Sequence, residues 1–347
     1  MGATDEKNGS GRWTLKFGRL LLPLCFLLAV HLPAHAQPNP KDAAQELLKA
    51  VVKIRAVVPD YARSAKTLGT EREGSGVVID SRGYILTIGY LILEAETLEV
   101  VGPEGKTVPA QSTAYDHRTG FGLLKTDNPL EVKPMELGNS SEVQEGDPVL
   151  VAAHGGEEGL MGARVISRKE FAGYWEYLLE DAIFTAPPHT NFGGAALIDH
   201  HGKLVGIGSL FTQIAIAGLG TIPANMFVPI DYLKPILSEL MEKGQTSEPS
   251  RPWLGVNAEE THGRVFVTRV TPESPAERAG LRIGDIILTV NRKEITGLAD
   301  FYRKVWALGK AGVEVPLRIL QGMEIRDITV KSADRTQYYR LKPQKRI

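Results

Sequence analysis

A histidine next to a hydroxyl is the simplest starting point for nucleophilic catalysis, and His189-Thr190 is such a pair. Adjacent side chains on an extended strand point to opposite faces, however, which leaves the two poorly placed to act together. His117 lies three residues before Gly120 and can in principle swing inward. Like His154, His200 and His201 in their Gly- or Asp-flanked turns, it reads first as a surface or loop histidine, and His262 falls outside the segment of short strands. Histidines and carboxylates do not cluster at metal-ligand spacing, so no metal and no cofactor is expected. Cys25 is the only thiol, which excludes a disulfide scaffold and a multi-thiolate metal site.

The elements that would position such groups are mostly strands. The chain has 347 residues, enough for two domains, with 43% hydrophobic and 23% charged residues, so wholesale disorder is excluded. A formal charge of −1 removes any bulk electrostatic case for nucleic acid as a partner. Residues 42–49 can form a short helix capped by Asp42, and Val51–Val58 is β-branched and reads as a strand. Short apolar segments then recur to about residue 230, among them 76–79, 84–87, 98–101, 122–125, 148–152, 195–198 and 204–209. Turns such as Ser81-Arg82-Gly83 and His200-His201-Gly202 separate them, which implies an antiparallel barrel or sandwich. A helix is expected over 231–243, capped by Asp231 and ended by Gly244. Residues 245–252 are a linker by composition, and a second compact unit starts at Trp253.

The first 36 residues read as an export signal. Lys7, Arg12, Lys16 and Arg19 make a basic start, diluted by Asp5 and Glu6. An apolar run of about 11 residues follows from Leu20, against the roughly 20 needed to span a bilayer. Ala34-His35-Ala36 is the pattern a signal peptidase accepts, so cleavage is expected before Gln37, and the mature chain lacks cysteine. An extracytoplasmic compartment, a bacterial periplasm, is expected; the alternative is an uncleaved inner-membrane anchor facing the periplasm. At the other end, residues 335–347 carry Arg340, Lys342, Lys345 and Arg346 and read as a solvated basic tail.

Two motifs carry a family resemblance. Gly74-Ser-Gly-Val-Val-Ile-Asp-Ser-Arg-Gly-Tyr-Ile-Leu-Thr87 resembles the strand–turn–strand entry of HtrA-type (Deg) proteases of the trypsin fold. Ser274-Pro-Ala-Glu-Arg-Ala-Gly-Leu-Arg-Ile-Gly-Asp-Ile-Ile-Leu-Thr-Val-Asn291 resembles the centre of that family's PDZ domain. Leu137–Val149, Gly193-Gly194 and Pro229-Ile230 fall between them in the family's order. The resemblance implies a mainly β fold: a trypsin-like double β-barrel over 37–244, the linker, one PDZ domain over 253–334, and the tail.

It also implies a loss of chemistry. The family's mechanism needs a serine to attack, a histidine to take its proton, and an aspartate to hold the imidazole. Read onto this sequence, the histidine position holds Tyr90, the aspartate position Gly120, and the serine position, within Thr190-Asn-Phe-Gly-Gly-Ala-Ala-Leu197, holds Phe192. A phenol with a pKa of about 10 is a poor base at neutral pH, and glycine and phenylalanine supply neither carboxylate nor nucleophile. Loss of a nucleophile or its base costs about 10⁶ in kcat in such enzymes. By resemblance, Trp253-Leu254-Gly255-Val256 stands at the PDZ carboxylate-binding loop, whose backbone N–H groups capture a peptide's C-terminus. The helix 298–308 would form the opposite wall, with Ala299, Tyr302, Val305 or Trp306 lining the pocket or else filling a small core.

The expected function is therefore an inactive protease homologue that binds C-terminal peptides or unfolded proteins, as an adaptor or regulator in envelope quality control. The alternatives are an active endopeptidase using residues outside these positions, and a structural subunit in mixed oligomers with active relatives. The resemblance further implies a homo-oligomer, a trimer.

Overall fold

A computed structural model describes residues 40–218 and 220–339. The expected export signal lies outside the described residues, as does the tail from 340 onward.

The first barrel is built from β1 (Val51–Val57), β2 (Glu71–Val78), β3 (Tyr84–Ile88), β4 (Thr97–Val101), β5 (Thr107–Tyr115) and β6 (Phe121–Thr126), closed in the order β1-β2-β3-β6-β5-β4. The second uses β7 (Pro148–Ala152), β8 (Leu160–Gly173), β9 (Tyr177–Ala186), β10 (Ala196–Ile198), β11 (Leu204–Ile216) and β12 (Gly220–Pro229), closed as β10-β11-β12-β9-β8-β7. Closure removes the sheet edges that short antiparallel strands would otherwise expose. Ile54, Ile85, Leu86, Leu123 and Leu124 of the first barrel are buried in a core cluster that continues into the second, and Val151, Leu197, Val205 and Phe227 form a separate cluster of the second. The two barrels meet where the Ser75 N–H donates to the Gly193 carbonyl at 2.8 Å; within the first barrel, Thr87 Oγ1 donates to the Ser75 carbonyl at 2.7 Å. The loops of the candidate site are anchored at this seam.

The third sheet runs β13-β14-β15-β17-β18, from β13 (Val256–Thr261), β14 (Arg264–Val270), β15 (Ile286–Val290), β17 (Glu314–Gln321) and β18 (Glu324–Lys331), with β16 (Lys293–Glu294) paired to β15. The β13 strand is therefore an edge strand of that sheet. Helices α1 (Pro40–Lys49), α2 (Ala65–Leu68), α3 (Leu237–Lys243), α4 (Pro275–Arg278), α5 (Leu298–Trp306) and α6 (Arg335–Tyr338) complete the described chain.

Several expectations need correction. Helix α1 begins at Pro40, so position 42 falls within its first turn and not before it. The helix expected over 231–243 is broken into a 3-10 turn, Ile230–Tyr232, and α3, because Pro235 can neither donate to the ladder nor clear the preceding turn. Asp231 instead accepts the Ser141 N–H at 2.8 Å. The first residues of the expected solvated tail pack back on the fold. Asp334 caps α6, Tyr338 Oη donates to the Pro272 carbonyl at 2.9 Å, and the Arg63 guanidinium sits 4.1 Å from the Tyr338 ring centre.

The third sheet is not an independent core. Leu178 of β9 is buried in one hydrophobic cluster with Leu254, Val256, Phe301, Tyr302 and Val305, and Ala172 of β8 packs against it. A side chain from the second barrel thus completes the core of the smaller unit, and the described chain should unfold cooperatively. Calorimetry of the wild-type protein should give one transition. Leu178→Ala should lower stability by about 2–5 kcal/mol and resolve that transition into two; two separate transitions already in the wild type would show that the two cores are independent.

Candidate functional site

Tyr90, Gly120 and Phe192 come from three separate loops. Tyr90 lies in the 3-10 turn Gly89–Leu91 that follows β3, Gly120 precedes β6, and Phe192 sits in the turn before β10. All three line one cavity of about 1210 Å³ that extends from the barrels to Trp253 and β13. The Tyr90 hydroxyl donates to the Ser209 carbonyl at 3.0 Å, and burial pushes its pKa well above the ordinary phenol value. It is a bound donor, with no proton-accepting role near neutral pH.

Gly120 is held in a left-handed conformation at φ +86°. Its N–H donates to the Asp116 carbonyl at 2.8 Å and its own carbonyl accepts from Gly89 at 2.7 Å. A side chain here would meet both the backbone penalty and Tyr177 Oη, 3.1 Å from where its Cβ would lie. Asp116, four residues earlier in the same turn, has its carboxylate engaged by the Thr119 N–H at 3.0 Å and hydroxyl at 2.6 Å.

The other candidate groups do not converge on the cavity. His189 is buried while Thr190 is exposed, and the His189 Nδ1 accepts the Asn191 N–H at 2.9 Å. A serine–histidine contact does exist, Ser75 Oγ to His154 Nδ1 at 3.1 Å, but Ser75 is fully buried at the barrel seam and cannot meet a peptide carbonyl. His117 is not the surface histidine expected. Its ring lies 4.2 Å from that of Tyr115 and stacks on Tyr339, and both ring nitrogens are buried without a hydrogen-bond partner.

The loop expected to take a peptide carboxylate holds one from the same chain. Glu176 is 7% exposed and sits in the tight connection between β8 and β9. Its Oε2 accepts the Leu254 N–H at 2.9 Å, and its Oε1 accepts the Gly255 N–H at 2.7 Å and the Val256 N–H at 3.0 Å. Gly255, at φ +85°, makes that turn possible; a Cβ there would lie 2.2 Å from Ser274 Cβ. Burial raises the Glu176 pKa, against the pull of the three N–H donors. Tyr302 Oη donates to the Gly173 carbonyl at 2.8 Å and accepts the Glu176 N–H at 3.2 Å. Tyr302 and Val305 therefore do not line an open pocket; both are buried against the hairpin. Trp253, expected at the entry of the loop, instead exchanges backbone hydrogen bonds with Ala333 and packs its ring 4.5 Å from Tyr338. Sequence reasoning missed Glu176, whose only signal was a bulky acidic residue at a hairpin turn.

Residues 74–207 match the trypsin-like peptidase domain family, and residues 252–332 match the PDZ domain family. The chain is 27% identical over 291 residues to a probable periplasmic serine endoprotease DegP-like of Pseudomonas putida (strain W619), covering 78% of this chain and 57% of that one. It is 27% identical over 267 residues to the periplasmic serine endoprotease DegP of Escherichia coli (strain K12), covering 72% and 54%. The chain is homologous to the DegP/HtrA serine proteases. In fold this homologue is similar to the HtrA-type protease AlgW with decapeptide, with a TM-score of 0.52, 23% identity, and coverage of 85% of this chain and 98% of that one. A serine endoprotease from Yersinia pestis gives a TM-score of 0.50 at 23% identity, covering 86% and 99%. The chain spans a little over half the length of those two curated relatives. No helix among its described residues is long and apolar enough to cross a membrane.

The burial of His117 has a pH consequence. Burial, and next the nearby Arg335 charge, hold its pKa well below the ordinary 6.5. An unfolded chain takes up this proton near pH 6.5 while the folded one does not, so stability is present above that pH and is lost as pH falls below it. Between about pH 7 and pH 5 the wild type should lose up to about 2 kcal/mol more than His117→Phe in urea unfolding. Parallel losses in the two proteins would show that His117 titrates normally.

Proposed function

We propose that this HtrA homologue is an exported peptide- or protein-binding protein that has lost peptidase chemistry, acting as an adaptor or regulator in the bacterial envelope. The observation that carries this reading is the cavity lined together by Tyr90, Gly120 and Phe192. The family's mechanism would require a free base, an orienting carboxylate and a nucleophile there. At those three positions stand a phenol tied to a backbone carbonyl, a glycine in a left-handed turn and an aromatic ring. The reading places the three at the triad positions because each follows its motif at the family's spacing. Exported location is supported by the amino-terminal pattern and by relatives named as periplasmic. Trimeric or mixed assembly with active relatives belongs to the same proposal.

Purified protein should leave unfolded casein uncleaved and take up no fluorophosphonate serine-hydrolase probe beside an active relative that does. Labelling abolished by changing one serine or threonine of this chain would overturn the reading. Restoring Tyr90→His, Gly120→Asp and Phe192→Ser together should also leave the protein inactive. Asp at position 120 must adopt φ +86° against Tyr177, at a cost of about 1–3 kcal/mol in urea unfolding.

A further inference from the structure

The carboxylate-binding loop is occupied, and the way it is occupied copies an extended peptide ligand. Besides the three N–H donors on Glu176, the Tyr174 carbonyl accepts the Ala258 N–H at 2.9 Å from the open edge of β13. An added strand makes this kind of contact with a sheet edge. Leu178 fills the apolar space between Val256 and α5, where a ligand side chain would go. At the rim, Arg303 of α5 forms ion pairs with Glu170 and Glu180, one on each strand of the hairpin. The Trp175 carbonyl accepts from Arg335 Nη1 at 3.0 Å.

The turn itself supplies an independent observation. Gly173 pairs with Tyr177, leaving a three-residue connection, and its last residue, Glu176, has φ +56°. That position of a three-residue hairpin turn favours glycine, since other side chains are strained in it. A glutamate held there, away from its preferred backbone, with its carboxylate buried on three N–H groups, is an outlier that hairpin formation alone does not explain.

We infer that the β8–β9 hairpin is the built-in ligand of the smaller domain: Glu176 stands in for a peptide's terminal carboxylate, and a free C-terminal peptide binds only by displacing it. The inference rests on the proposed peptide-binding reading and adds its regulation. Binding at the groove frees the hairpin, so occupancy of the smaller domain is coupled to the second barrel. An intramolecular ligand acts at an effective concentration on the order of millimolar, against a dissociation constant on the order of ten micromolar for a short peptide. The closed groove thus weakens external binding by on the order of a hundredfold.

The test uses the full chain, wild type and Glu176→Gly. Glycine removes the carboxylate and relieves the turn, so the variant is not expected to fail by misfolding. Glu176→Gln, which keeps the length of the side chain and loses its charge, serves as a second variant. A short peptide ending in leucine, with a free carboxylate or as its amide, is titrated by calorimetry, and hydrogen exchange is followed across 173–178. Glu176→Gly should bind the free-carboxylate peptide about a hundredfold more tightly than wild type and prefer it to the amide, with Glu176→Gln shifted in the same direction. Saturating peptide should speed exchange of the wild-type hairpin. Equal affinity and equal carboxylate preference in all three proteins would overturn the inference while leaving peptide binding intact. If neither variant binds either peptide although its hairpin exchanges fast, the peptide-binding reading fails and the inference falls with it.

Discussion

One buried carboxylate joins the barrels to the third sheet. Removing a charged group from water costs several kcal/mol, and Glu176 recovers that cost only while Leu254, Gly255 and Val256 all donate to it. The constraint extends outward from these bonds. Gly255 must keep a conformation that a side chain would forbid, Tyr302 must hold the backbone on either side of the turn, and Leu178 must stay inserted among Val256, Phe301 and Val305. Loss of any one of the three N–H bonds would leave a buried charge with fewer partners, a larger penalty than the loss of an ordinary contact. The exposed ion pairs of Arg303 add little stability by comparison and mainly fix the hairpin's direction.

Binding and chemistry have separate supports in this molecule. The barrel seam keeps its geometry, with Ser75 bonded to Gly193 and Thr87 bonded back to Ser75, so the loops that bear Tyr90 and Phe192 still converge. At that convergence Tyr90 is a phenol bonded to a backbone carbonyl and Phe192 an aromatic ring, whereas the backbone of the smaller domain already performs carboxylate capture. Backbone N–H groups survive side-chain substitution as long as the turn is kept, while a triad depends on three particular side chains. On the proposed reading, the chain keeps the first without the second and so recognises extended segments without cutting them.

Much of this was legible in the sequence. The short apolar runs gave strands at nearly their observed places, Pro148–Ala152 among them, and the segment 274–291 located the smaller domain. The loop 253–256 was found as a carboxylate-binding candidate from its place relative to that motif. Its occupant was not found, because Glu176 is separated from Leu254 by 78 residues and no local pattern encodes so distant a pairing. The same limit hid the burial of His117 between Tyr115 and Tyr339, and the docking of Tyr338 on Pro272, which packs the first residues of the expected tail, 335–339, on the fold. The helix error at 231–243 was local and avoidable, since Pro235 stood inside the expected span.

Residue-resolved hydrogen exchange on the unliganded full chain tests the central claim most directly, that Glu176 closes the groove through three backbone bonds. The Leu254, Gly255 and Val256 amides should be protected to a degree comparable with the barrel strands, and Glu176→Gly should abolish that protection while β3 and β6 keep theirs. Wild-type amides at 254–256 that exchange like an open surface loop, unchanged by the substitution, would contradict the account.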